Sequence, residues 1–168
     1  MRRAPLAALA CLSVLAGSPA AADEAGDRDA LARCVSVAKA AKLGAASCIG
    51  TVQGACFKRP GGDTTAGMVD CTAREIAAWD ARLNVAYRAA FAGPSGSVET
   101  LRDGGRRRQK GADVLREAQR SWIVFRDRKC EAARLPMEGG TGASLLAGDC
   151  MLAETARQAI WLDGLSEE

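Results

Sequence analysis

Apolar and polar positions along this chain follow a helical rhythm. From Thr65 to Ala92 the residues Met68, Cys71, Ile76, Trp79, Leu83, Tyr87 and Phe91 advance mostly by three or four, the stripe of a long amphipathic helix that Gly93 and Pro94 end. A second stripe, Leu115, Ala118, Trp122 and Phe125, flanked by Ile123 and Cys130, predicts a helix over about 112–134, and Pro136 bars its continuation. A last helix starts near Ala143 and carries Leu146, Cys150, Ala153, Ile160, Trp161 and Leu165. Gly148 weakens its first turns by about 1 kcal/mol relative to Ala. Earlier, Leu31, Cys34, Val35, Ala38 and Ala41 predict a weaker helix up to Gly44, after a polar, frayed stretch from Asp23 to Asp29. Ser47 to Gly67 reads as loop, with Gly50, Gly54, Pro60, Gly61 and Gly62 punctuating it. Ser95 to Gly111 reads as a connector with a turn at Asp103-Gly104-Gly105 and a solvated basic run, Arg106 to Lys110. No run alternates β-branched residues, so the expected fold class is all-α, a small disulfide-stapled bundle of three to four helices.

The N-terminus changes where this bundle is expected to live. Arg2 and Arg3, an apolar run from Ala4 to Ala16 and a small-residue stretch ending at Ala22 predict a signal peptide over residues 1–22, cut before Asp23. The run is too short to span a bilayer, so no membrane anchor is expected after cleavage, and the mature chain is expected to be periplasmic or secreted. Cys11 leaves with the signal, and an even set remains: Cys34, Cys48, Cys56, Cys71, Cys130 and Cys150. In an oxidising compartment these read as structural disulfides. Sequence leaves the connectivity open. Nearest-neighbour pairing is the expectation: Cys34 to Cys48, Cys56 to Cys71, Cys130 to Cys150. A redox role lacks the Cys-x-x-Cys spacing that tunes a reactive thiol.

Charge and residue types narrow the chemistry. The chain has 23 basic and 20 acidic residues, and removing Arg2 and Arg3 leaves 21 against 20, so a basic isoelectric point belongs to the precursor and no nucleic-acid partner is expected. Residues 102–130 hold ten Arg or Lys against four Asp or Glu, a net of +6, whereas 131–168 hold seven acids against two arginines, a net of −5. Two solvated helix faces that attract each other are the preferred reading; the alternative is an acidic C-terminal surface that steers a basic partner. Histidine is absent, so neither a Ser-His-Asp triad nor a Cys-His nucleophile can be built. No cofactor or metal is expected, and the protein is read as a non-enzyme. Glu75 with Asp80, or Glu117 with Asp127, are the pairs to weigh for glycoside hydrolysis, but acids on amphipathic helices mostly serve as solvent-facing ion-pair partners. Gly139-Gly140-Thr141-Gly142 lacks the Lys-Ser/Thr of a P-loop and reads as a flexible connection.

Polar residues inside the stripes are more informative: Asn84 and Tyr87 on one helix, Gln119 and Arg126 bracketing Trp122 on the next. The preferred reading is a hydrogen-bonded network fastening the two helices, since an unpaired buried polar group costs roughly 1 to 3 kcal/mol. The alternative is a polar groove with an aromatic floor. The run Cys71-Thr72-Ala73-Arg74-Glu75, Trp79, Leu83-Asn84-Val85-Ala86-Tyr87, then Gln119-Arg120-Ser121-Trp122, Phe125-Arg126-Asp127 and Cys130, resembles the LprI-like family of lysozyme inhibitors, small bacterial envelope proteins. Gly139-Gly140-Thr141, Cys150 and Thr155-Ala156-Arg157 continue the resemblance, over roughly residues 56 to 163. It implies a helical, disulfide-bonded domain over 56–168, with residues 23–55 adding an N-terminal helix and a Cys-containing loop. It also implies lysozyme as a partner whose muramidase activity is blocked. The alternative partner is another envelope protein, in a structural or assembly role without lysozyme inhibition. Trp79, Asn84, Tyr87, Gln119, Trp122, Arg126, Asp127 and Arg157 are the family-motif positions expected in the core or a binding groove; none is carried over as an inhibitory contact.

Overall fold

The computed structural model describes residues 19–105 and 107–167. Its elements in chain order are α1 (Pro19–Ala40), α2 (Thr51–Phe57), α3 (Thr65–Ala92), α4 (Pro94–Ser97), the strands β1 (Glu99–Arg102) and β2 (Arg107–Lys110), α5 (Gly111–Ala132) and α6 (Gly142–Glu167). Short 3-10 turns occupy Ala45–Cys48, Asp103–Gly105 and Leu135–Met137. The fold is all-α with disulfide staples, and the β-hairpin is a minor addition to it. Residues 1–18 of the expected signal peptide lie outside the described residues, and the expected cut before Asp23 falls within α1.

Helices α3 and α6 form the central pair. Thr64 starts α3 by accepting the Gly67 N–H on its side-chain oxygen at 3.0 Å, and Gly93 follows its last turn. Ala78, Trp79, Leu83 and Ala86 of α3 pack with Leu152, Ala156, Ala159 and Leu162 of α6 in one buried cluster. The alanines keep the facing ridges low, so the axes approach closely. Gly148 serves the same end: a Cβ there would stand 3.1 Å from the Thr72 methyl carbon. A side chain at that position would press on Thr72, so the helix-weakening glycine suits this crossing. Helix α1 adds Leu31, Val35 and Ala38 to the same cluster, and α2 adds Val52. Helix α5 lies antiparallel to α6, as Cys130 meeting Cys150 and Gln119 meeting Gln158 require.

The disulfides join nearest neighbours: Cys34 to Cys48, Cys56 to Cys71 and Cys130 to Cys150, closing sequence separations of 14, 15 and 20 residues. Each ties two successive elements, α1 to the turn at Ala45–Cys48, α2 to α3, and α5 to α6. Loops of this length contribute about 3 kcal/mol each in the chain-entropy account.

Three segments differ from the sequence expectation. Asp23 to Asp29 is helical rather than frayed, because Asp27 is buried and paired with Arg74 across two contacts of 2.7 and 3.0 Å. Ser47 to Gly67 contains α2, too short to persist alone, whose N-terminus receives its acceptor from α3. The connector from Ser95 contains α4 and the hairpin, so the basic run expected to be solvated coil is half of a strand pair. Its tip needs positive φ at three successive positions, Asp103 (52°), Gly104 (67°) and Gly105 (88°), which the two glycines adopt without a Cβ clash.

The acceptor for α2 is Glu75, whose side chain is fully buried. One carboxylate oxygen takes the Gly50 N–H at 2.6 Å and the Trp79 indole N–H at 3.1 Å; the other takes the Gln53 N–H at 2.7 Å. These amides are among the donors that a helix start leaves without intrahelical partners, and the helix dipole favours a carboxylate there. Beside it, Gln53 donates to the Thr72 hydroxyl at 2.6 Å and to Asp149 at 3.2 Å, linking α2, α3 and α6. Replacing Glu75 with Gln turns an acceptor into an amide facing N–H donors. We predict that Glu75→Gln destabilises the disulfide-intact protein by about 2 kcal/mol in urea unfolding, leaving at least one buried donor unsatisfied.

Candidate functional site

The family-motif residues divide between the interior and one flank of the bundle. Trp79 is wholly buried and bonded to Glu75, so it is a core residue. Asn84 is exposed and donates back to Asp80 of its own helix, to the carbonyl and to the carboxylate, each at 2.9 Å. It fastens no second helix, because it sits one position beyond Leu83 and faces away from the buried stripe. Tyr87 is half-buried against the core, its ring 5.8 Å from Phe91.

The remaining motif residues gather where α5 meets α6. Gln119 accepts from the Gln158 amide at 2.9 Å, so the interhelical polar bond joins α5 to α6 rather than to α3. Trp122 packs on the core while the Arg126 guanidinium lies 4.8 Å from its ring centre, and Arg126 pairs with Asp127 at 2.8 Å. Two more cations lie over rings on this flank: Arg116 over Phe91 at 5.2 Å and Lys129 over Phe125 at 5.6 Å. Such stacking fixes long side chains that would otherwise sweep through many rotamers. Arg157 reaches this flank through Glu154, which accepts from it at 2.8 Å and from Lys129 at 2.9 Å.

Sequence reasoning missed the exposed part of α5. Val124 is 62% and Phe125 55% exposed, with Ile123 beside them. Phe125 belongs to the apolar stripe by spacing, yet α5 has a neighbour along only part of its circumference, so the stripe's edge stays in solvent. The acid pairs weighed for hydrolysis do not converge. Glu75 is buried beneath α2 while Asp80 is exposed and holds Asn84; Glu117 and Asp127 are exposed on α5, bonded to Gln109 and Arg126. Among the described residues, no group of three or more His, Cys, Asp or Glu is arranged to hold a metal ion, and no helix is long and apolar enough to cross a membrane.

The oppositely charged segments meet at Glu154. Its carboxyl is held below the usual glutamate range, chiefly by the hydrogen bond from Lys129 and then by Arg157, against the opposing effect of burial. Arg74 is pushed upward by its hydrogen bond to Asp27, partly offset by desolvation. Two further C-terminal acids are bonded across elements: Asp163 pairs with Arg82 at 2.6 Å, and the exposed Asp149 accepts from Gln53 at 3.2 Å.

Helices around a short apolar core, with disulfides joining α1 to the turn at Ala45–Cys48, α2 to α3 and α5 to α6, define a stapled all-α domain. The chain belongs to the lysozyme inhibitor LprI family, whose model matches residues 56–162, from within α2 to near the end of α6. It is also 31% identical over 97 residues to the uncharacterized protein R02472 of Rhizobium meliloti (strain 1021), covering 58% of this chain and 70% of that protein. No solved structure matches. The family match excludes α1 and the Cys34 to Cys48 bond, yet α1 shares the single core and Glu75 bonds Gly50 and Gln53 outside the match.

Glu154 carries a pH signature. A depressed folded-state value means that its stabilisation is present above the unfolded glutamate value, about 4.3, and is lost as pH falls through the folded value. Glu154→Gln should therefore lower stability at pH 7 while flattening the acid limb of the stability profile below about pH 4.3, measured by urea unfolding across pH.

Proposed function

We propose that this chain is an exported, non-enzymatic binding protein that occupies a lysozyme and blocks its muramidase activity, protecting the cell wall. The observation that carries this reading is the family match over α2 to α6, the part of the fold that holds the Cys56–Cys71 and Cys130–Cys150 bonds. Export to the periplasm or beyond is supported by three disulfides, which persist in oxidising compartments, and by the charged and apolar pattern of the first 22 residues. Rigidity suits the role: a scaffold stapled between successive elements loses little freedom on binding, so more of the contact energy appears as affinity.

The purified mature protein should slow lysozyme-driven clearing of a cell-wall suspension, in proportion to its concentration up to a stoichiometric excess. Unchanged clearing at micromolar excess would contradict the lysozyme reading. Recovery of a different envelope protein in a periplasmic pull-down, together with unchanged clearing, would favour the structural or assembly role.

A further inference from the structure

Two residues break local rules at one place in the fold. Lys42 adopts the left-handed conformation, φ 58°, where the chain leaves α1. Its N–H bonds the Lys39 carbonyl at 3.1 Å and the Leu43 N–H bonds the Ala38 carbonyl at 2.8 Å, the double closure of a helix end at which glycine is the usual residue. A lysine there carries a steric penalty that glycine avoids. Gly164 breaks the opposite rule: it stands within α6, where glycine weakens the helix, although a Cβ on it would meet nothing within 4 Å. Packing therefore explains neither residue. A cation at the end of α1 suits the helix dipole, but Lys39 already stands in the last turn, and the dipole does not call for the left-handed position. Lys42 and Gly164 line one cavity of about 370 Å³, bordered by α1, α3 and α6. Local rules broken together without a gain to the fold point to function.

The lining identifies the ligand. Val35, Leu43 and Ile160 supply apolar wall, and Leu43 is 60% exposed, a large hydrophobic side chain left without cover. Lys39, Lys42 and Arg82 stand against Asp163, three cations to one carboxylate, a net of +2. Arg82 takes Asp163 at 2.6 Å, whereas among the described residues no carboxylate pairs with Lys42. No Ser, Thr, Asn, Gln or Tyr side chain belongs to the lining, so the amides of a peptide would find few partners there. We propose that this cavity binds a short alkyl carboxylate, its hydrocarbon tail against Val35, Leu43 and Ile160 and its head beside Lys42. The volume falls in the range of small-ligand pockets, about 300 to 1,000 Å³. The Cys34 to Cys48 bond ties α1 to the turn that begins at Ala45, another lining residue, so the walls are set before the ligand arrives. This site is independent of the lysozyme reading, because Val35, Lys42 and Leu43 lie in the segment outside the family match.

The test titrates the full mature protein with sodium octanoate below its micellar range in a calorimeter, with acetate and 1-octanol as the head and the tail alone. Octanoate should bind about tenfold or more tightly than either. Amide resonances of Lys42, Leu43 and Gly164 should shift on titration while those of α5 stay in place. Lys42→Gly should weaken octanoate binding about threefold to tenfold, as expected for loss of one exposed charge pair. Its urea midpoint should stay at or above the wild-type value, because glycine relieves the left-handed position, so unfolding cannot account for the loss. Gly164→Leu should fill the cavity and abolish binding with the helical circular dichroism retained, and the control Arg128→Ser on α5 should bind as the wild type does. Absence of octanoate binding, equal affinity for octanoate and 1-octanol, or a Lys42→Gly variant that binds as the wild type does would each overturn the proposal.

Discussion

The buried carboxylate of Glu75 is the constraint on which the arrangement depends. Three N–H donors from two segments supply its partners. In a low-dielectric interior such a group is tolerated only when its hydrogen bonds are complete, so the position of α2 against α3 is fixed within narrow limits. The Cys56 to Cys71 bond closes the other end of the same junction, and Gln53 extends it to α6 through Asp149. Covalent and polar fasteners together fix a geometry that alanine-rich packing alone would leave loosely specified.

Burial in this protein is modest. The shared core consists largely of Leu, Val and Ala around one Trp, and the rest of the stability comes from fasteners at its edges. Charge is used in the same spirit. The basic segment that includes α5 and the acidic segment that includes α6 attract across the Lys129 to Glu154 contact, and α1 is latched to α3 by Arg74 and Asp27. These pairs are partly buried, where an ion pair is screened less than at the surface. The hairpin carries a pair of its own, Arg108 with Glu99 at 3.1 Å.

Legibility in the sequence followed the source of stability of each element. The long helices α3, α5 and α6 were readable because their own apolar periodicity encodes the face they bury; the cysteine connectivity, which the sequence left open, matches the nearest-neighbour expectation. Helix α2 was not readable: its seven residues owe their helicity to an acceptor 22 to 25 positions downstream, and no local pattern carries that information. The clue lay in α3, where Glu75 stands four residues from Cys71 and four from Trp79, inside the buried stripe rather than on the wet face. Asn84 misled in the opposite sense, being adjacent to a buried position and yet outside it. The strands were hidden because four-residue, largely polar segments lack the alternation that marks a half-buried sheet.

Family membership supports the functional reading, and the physical account supplies its requirement: a stapled frame that holds a binding surface still. The most direct measurement of that frame is native-state hydrogen exchange at the amides of Gly50 and Gln53 and at the Trp79 indole. If Glu75 fastens α2 as described, these three protons exchange only through global unfolding, with protection equal to that of the centre of α3. Exchange at Gly50 and Gln53 on the timescale of a fraying helix end, while Leu83 and Ala86 stay protected, would contradict it.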